Sequence, residues 1–201
     1  MGVLTFLVAD SFYIIVDPIL PYKLSREFGF NEHDIGVFFF HFTAVVSLFL
    51  FIFMLIPDTL NKTIFIVAGG FILSFGTLVT GPSRLFQLSN KVDLVSAGMM
   101  IAGLGRALLK SYAMVFTLKS ALTEFYEDKE EVERKAPAVA YFFYGIGAVL
   151  LPLTSSGLYS IIDFRSIMDI LGVLYGLYAI GFTVYAATNK WGRMRNPAPV
   201  Q

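Results

Sequence analysis

The chain has 201 residues, of which 56% are hydrophobic and 21 are Phe, with a mean hydropathy of +0.70 and a formal net charge of +0. No ordinary soluble domain carries such an apolar excess, so the composition indicates a polytopic, multi-pass integral membrane protein in contact with the lipid bilayer. The neutral balance, with no clustered basic face, argues against nucleic acid as a partner, and the absence of Cys removes disulfides, thiolate metal sites and thiol catalysis.

Six apolar runs of spanning length occur at 2–21, 35–56, 63–82, 94–117, 136–161 and 166–188; about 20 helical residues cross a hydrocarbon core of about 30 Å. The first contains Asp10 and Asp17, seven apart and therefore on one helical face. Pro18 and Pro21 interrupt the helical ladder, so this span is expected to end there, with KLSREFGFNEHD following as a polar loop. The second span runs into Pro57, Asp58 and a short turn, and the third ends at Gly81 and Pro82.

The fourth run carries Arg106 and Lys110, four apart on one face. A charge near the bilayer centre costs roughly 3 kcal/mol on insertion scales, so both cations should face protein or water and meet a partner. Asp10 and Arg106 lie roughly halfway along their spans, which predicts an ion pair between them, while Asp17, nearer the interface, is expected to pair with nothing. Gly69, Gly70, Gly98, Gly103, Gly105, Gly145 and Gly147 read as small residues that let helices approach closely. Residues 124–135 form the longest polar stretch and are read as a charged linker between two groups of three spans, mixing charges at the spacing of a solvated amphipathic helix. The last span ends in a basic tail with Trp191 at the interface.

Six spans put both termini on one side. Lys62, Lys119, Lys129, Arg134, Lys135, Lys190, Arg193 and Arg195 would lie with the termini, and Lys23, Arg26, Arg84, Lys91 and Arg165 opposite, so eight cations against five favour termini in the cytoplasm or its equivalent. The compartment is undetermined, an organelle membrane (mitochondrial or vesicular) being admitted. Three spans followed by three more form an inverted-topology repeat, because an odd number of helices reverses the second copy. The fold class is therefore all-α, six transmembrane helices in a 3+3 inverted repeat. A single membrane domain covers 1–201, with a first three-helix repeat over 1–82, a loop, fourth helix and charged linker over 83–135, and two helices with a polar tail over 136–201.

Asp17-Pro18-Ile19-Leu20-Pro21 resembles the acidic-Pro-x-Leu-Pro signature opening the C-terminal half of vesicular amine and polyamine transporters of the major facilitator superfamily. Gly81-Pro82-Ser83-Arg84-Leu85-Phe86-Gln87-Leu88 is similar to the segment after that half's third span, and Gly145-Ile146-Gly147-Ala148-Val149-Leu150-Leu151-Pro152 to its fifth. The shared order, over essentially the whole chain, carries the resemblance. It implies half of a major facilitator fold, with Asp17 at the family's acidic position. Departures are Ile56-Pro57-Asp58-Thr59-Leu60-Asn61-Lys62 where the family has a Gly-x-x-x-Asp-Arg/Lys turn, Leu151 where relatives place Gly before Pro152, and Tyr141 where amine carriers place a membrane acid. Arg106 and Lys110 would not favour a cationic substrate, so the resemblance does not extend to amine specificity.

No Ser-His-Asp set, phosphate loop or paired catalytic carboxylates occur outside the spans, and His33 and His41 lack metal-ligand partners. The chain is therefore read as a non-enzyme with no catalytic residue, cofactor or metal. The chain is read as an accessory or structural subunit of a larger membrane assembly, not transport-competent alone; the alternative is half of a secondary carrier for a small organic solute, completed by a second six-helix half. Either requires a membrane subunit or a second six-helix half over the charged face.

Overall fold

The computed structural model describes residues 1–55, 62–84, 86–124 and 129–188. Most of the 56–62 turn, Leu85, residues 125–128 of the polar stretch, and the tail with Trp191 lie outside the described residues. Six helices form, α1 (Gly2–Phe28), α2 (Glu32–Met54), α3 (Lys62–Thr80), α4 (Val92–Glu124), α5 (Lys129–Tyr159) and α6 (Phe164–Thr188), with no strand among the described residues. All six are long and apolar enough to cross a membrane.

α1 does not stop at its prolines. Pro18 and Pro21 lie inside the helix, which continues through the first half of the expected loop to a left-handed Gly29 (φ 69°), where the Gly29 and Phe30 amides return to the carbonyls of Ser25 and Leu24. Each proline removes one ladder donor, but apolar neighbours on both sides of them, Ile15, Val16, Ile19, Leu20 and Leu24, are buried, and that packing outweighs the local cost. Only residues 29–31 separate α1 from α2. Asn31 and Asp34 then close a capping box, the Asp34 amide donating to Asn31 Oδ1 at 2.9 Å and the Asn31 amide to Asp34 Oδ2 at 3.4 Å.

The polar stretch 124–135 follows the fourth helix, not the third, so it separates four helices from two and is not the boundary between triplets. That boundary is the turn after α3, residues 81–91. α4 has 33 residues and α5 has 31; at 1.5 Å per residue each is on the order of 50 Å long and overruns a 30 Å core. Most of the expected linker is thus helix projecting beyond the apolar layer, with Glu131 paired one turn away to Lys135.

α1 and α4 occupy the centre: α1 packs on α4 and α5, α4 on α1, α2 and α3, and α3 also on α6. Exchanging the first triplet with the second maps the α1–α5 pairing onto α4–α2, as an inverted repeat requires. The outer helices break the symmetry, since α3 lies closely along α4 while α6 stands off from α1, reaching it through the Tyr175 hydroxyl at Ser11 (2.9 Å) and the Tyr178 hydroxyl, which donates to Thr5 at 2.7 Å. Glycines explain the difference. A Cβ on Gly76 would fall 2.2 Å from the Ala102 amide nitrogen, one on Gly98 2.2 Å from that of Thr80, and one on Gly105 2.4 Å from that of Leu73, so α3 and α4 meet backbone to backbone. Gly103 likewise admits Val46 and Phe42 of α2. Gly147 sits at ordinary contact distance, 3.6 Å, from Leu7, but Gly145 has nothing within 4 Å and is not a packing position. Two residues apart on a helix, they point to opposite sides, and only Gly147 faces α1.

The core is shared by these helices: Phe12 and Leu20 of α1, Leu73 of α3, Leu109 of α4 and Met168 and Phe182 of α6 are nearly inaccessible. α2 and α5 bury only a small part of their apolar surface and form the flanks. Pro152 lies inside α5, where the Ser155 hydroxyl donates to its carbonyl at 3.1 Å.

Candidate functional site

The α1–α4 contact brings the predicted charges together. Asp10, 2% exposed, receives Arg106 Nη2 at 2.7 Å and Nε at 3.1 Å on Oδ1, and Lys110 Nζ at 3.0 Å on each oxygen. Arg106 and Lys110 reach one carboxylate because they stand one turn apart on the face that α4 turns to α1. The cation side chains are 16% and 35% exposed respectively, so the cluster opens through Lys110.

Aromatic rings wall it in. The Arg106 guanidinium lies 4.9 Å from the Tyr13 ring centre, and Tyr13 stacks on Phe42 of α2 at 5.7 Å. Lys110 Nζ sits 6.0 Å from the ring centre of Phe6, which meets Tyr141 and Tyr144 of α5 edge-on. All four central and flanking helices thus contribute to one site. With both cations and the carboxylate ionised, the cluster carries a net positive charge.

Asp17 is exposed and makes no hydrogen bond or ion pair with a described residue, although the Arg106 charge acts on it. It stands two turns beyond Asp10 on α1, about 10 Å along the axis. The structure therefore joins Asp10, Arg106 and Lys110 and leaves Asp17 as a separate carboxylate on the surface of α1.

A second polar cluster escapes the sequence reading. Lys23, assigned above to a loop, is fully buried at the far end of α1. It donates to Glu27 Oε2 at 2.6 Å and Asn90 Oδ1 at 3.1 Å, Asn90 Nδ2 donates to the same Glu27 oxygen at 2.7 Å, and the rings of Phe28 and Phe164 flank the ammonium. Nearby, Arg165 donates from Nε to the Pro82 carbonyl at 2.7 Å and from Nη2 to that of Leu88 at 2.8 Å, fixing the 81–91 turn on α6. The exposed Arg84–Asp163 pair closes the same end at 2.9 Å. Burial alone would raise the Asp163 carboxyl, but the Ser166 hydroxyl, Arg84 and local amides together hold it below its ordinary value. The available signal was the i, i+4 spacing of Lys23 and Glu27, which is a helical spacing within what read as a loop.

The family model described as Major Facilitator Superfamily matches residues 1–199. No curated protein and no solved structure matches the chain.

Proposed function

Because the chain belongs to the major facilitator superfamily, whose transport pathway runs between two six-helix halves, we propose that it acts as one half of a secondary carrier for a small organic solute. Its charged face is completed by a second six-helix bundle, supplied by the same polypeptide or by another. The observation that carries this reading is Asp17, an exposed carboxylate inside a spanning helix that makes no ion pair with a described residue, on the same helix as the Asp10 cluster that opens at Lys110. Facing lipid, such groups would be costly; facing a water-lined pathway between two bundles, they stay solvated and available to a solute or proton. The likeness of Asp17-Pro18-Ile19-Leu20-Pro21 to the amine branch supports the carrier role but not the amine, since two cations share the site.

Reconstitution tests the proposal. The isolated chain should show no saturable uptake, because alternating access needs a second body to rock against it. With a second bundle present, Asp17→Asn should abolish uptake or its proton coupling and leave assembly intact. Saturable uptake by the isolated chain would overturn the need for a partner bundle, and unchanged uptake in Asp17→Asn would remove Asp17 from the pathway.

One observation favours a second reading, an accessory subunit of a larger membrane assembly. Asp10, Arg106 and Lys110 pair with one another in the absence of any ligand and brace α1 on α4. In that role Asp17→Asn is silent in every assay of the host assembly.

A further inference from the structure

We propose that Arg106 and Lys110 form a subsite for the carboxylate of a small organic anion. This rests on the carrier reading and names its substrate class.

Two cations share one carboxylate, so the cluster is left with a positive charge that no described residue in contact with it cancels. Asp17, the remaining carboxylate on this stretch of α1, makes no ion pair and stands about two helical turns away. Donors remain as well as charge. Asp10 takes Arg106 through Nε and Nη2, leaving Nη1 without a hydrogen bond among the described residues, and Lys110 Nζ has three protons for its two bonds to Asp10. Lys110, 35% exposed, forms the opening of the cluster, and the Arg106 side chain, bonded to the same carboxylate, keeps 16% of its surface exposed. An incoming carboxylate would accept from both and neutralise the cluster with charge-assisted bonds. A cationic substrate at this position would meet two like charges and gain nothing from Asp10, which is already shielded by them. Phe6 and Tyr13, packed against the two cations, wall the subsite with apolar rings and lower the competition of water for the ion pairs.

Benzoate is a suitable probe. The full chain in phosphatidylcholine nanodiscs should bind radiolabelled benzoate saturably, with competition by other monocarboxylates and none by benzylamine. Both donors belong to this chain, so binding does not require the second bundle. Lys110→Gln should weaken benzoate by about tenfold or more, the scale of one hydrogen bond to a charged group, while Lys110→Arg retains it; a single cooperative thermal transition in each variant, shifted only slightly in Lys110→Gln, separates lost binding from lost fold. Absence of saturable binding, preference for benzylamine, or displacement of benzoate by added phosphatidylglycerol would each overturn the assignment to a soluble anion. Uptake of a neutral or cationic solute by the assembled carrier, without benzoate binding, would sink this inference and leave the carrier reading standing.

Discussion

Asp10 is the residue on which the α1–α4 contact depends electrostatically. Removing one partner of a buried ion pair leaves the other uncompensated, at a cost of roughly 3–5 kcal/mol, and Asp10→Asn strands two cations, one of them largely buried. Unfolding in detergent should show a large loss for Asp10→Asn and a smaller one, nearer 1 kcal/mol, for Lys110→Met, because Lys110 is a third exposed and Arg106 still pairs with Asp10. An equal loss in the two would contradict the geometry. Outside the membrane, Asp163 has a carboxyl held below its ordinary value of 3.8. Its contribution is therefore fully present above the unfolded value and lost as pH falls through the lower folded one. Acid titration below about pH 4 should loosen the Arg84–Asp163 contact in the native chain and leave Asp163→Asn unchanged across the same window.

At the scale of elements, the glycine seam makes opposite demands at positions that look alike in sequence. Gly76→Ala places a methyl carbon 2.2 Å from the Ala102 backbone nitrogen, a clash that only separation of α3 and α4 relieves, so destabilisation of about 1–3 kcal/mol is expected. Gly145→Ala meets nothing within 4 Å and should be neutral or stabilising by up to about 1 kcal/mol through helix propensity. Thermal unfolding of the two variants checks both, and a neutral Gly76→Ala would show that the seam is looser than drawn.

Such contrasts mark what is legible in a sequence of this kind. The six spans and the Asp10–Arg106 pairing are, because a bilayer forbids unpaired charge and sets a minimum apolar length. The side on which a glycine packs is not, since hydropathy of a span apolar on most of its faces carries no clear orientation. Pro18 and Pro21 mislead for a related reason: their local rule was outvoted by the burial of α1 on its neighbours, which also drew Lys23 out of its expected loop and into the helix. Asn90 and Arg165 gave no warning, because the cluster they complete joins residues far apart in the chain.

For the whole molecule, the arrangement requires that successive helices cross the membrane in alternate directions. The α1–α2, α3–α4 and α5–α6 turns then lie on one side, held there by Lys23, Arg165 and the Arg84–Asp163 pair, which join residues of all three regions. The start of α1, the end of α6 and the projecting ends of α4 and α5 lie on the other. The chain has no Cys, so single cysteines report without background. Ser89, exposed in the α3–α4 turn, and Glu133, exposed in the first turns of α5, are suitable positions. In sealed vesicles an impermeant maleimide should label one of them directly and the other only after the membrane is opened. The cation count predicts that the Glu133 side faces the cytoplasm or its equivalent, and on that expectation inside-out vesicles should expose Cys at 133 and protect Cys at 89. Labelling of both from the same side would mean that α4 does not cross, and a helix lying along the surface could not hold Arg106 at the depth of Asp10. The ion pair and the proposed anion subsite would then fall together with the topology, which makes this labelling the measurement that bears on every level of the reading.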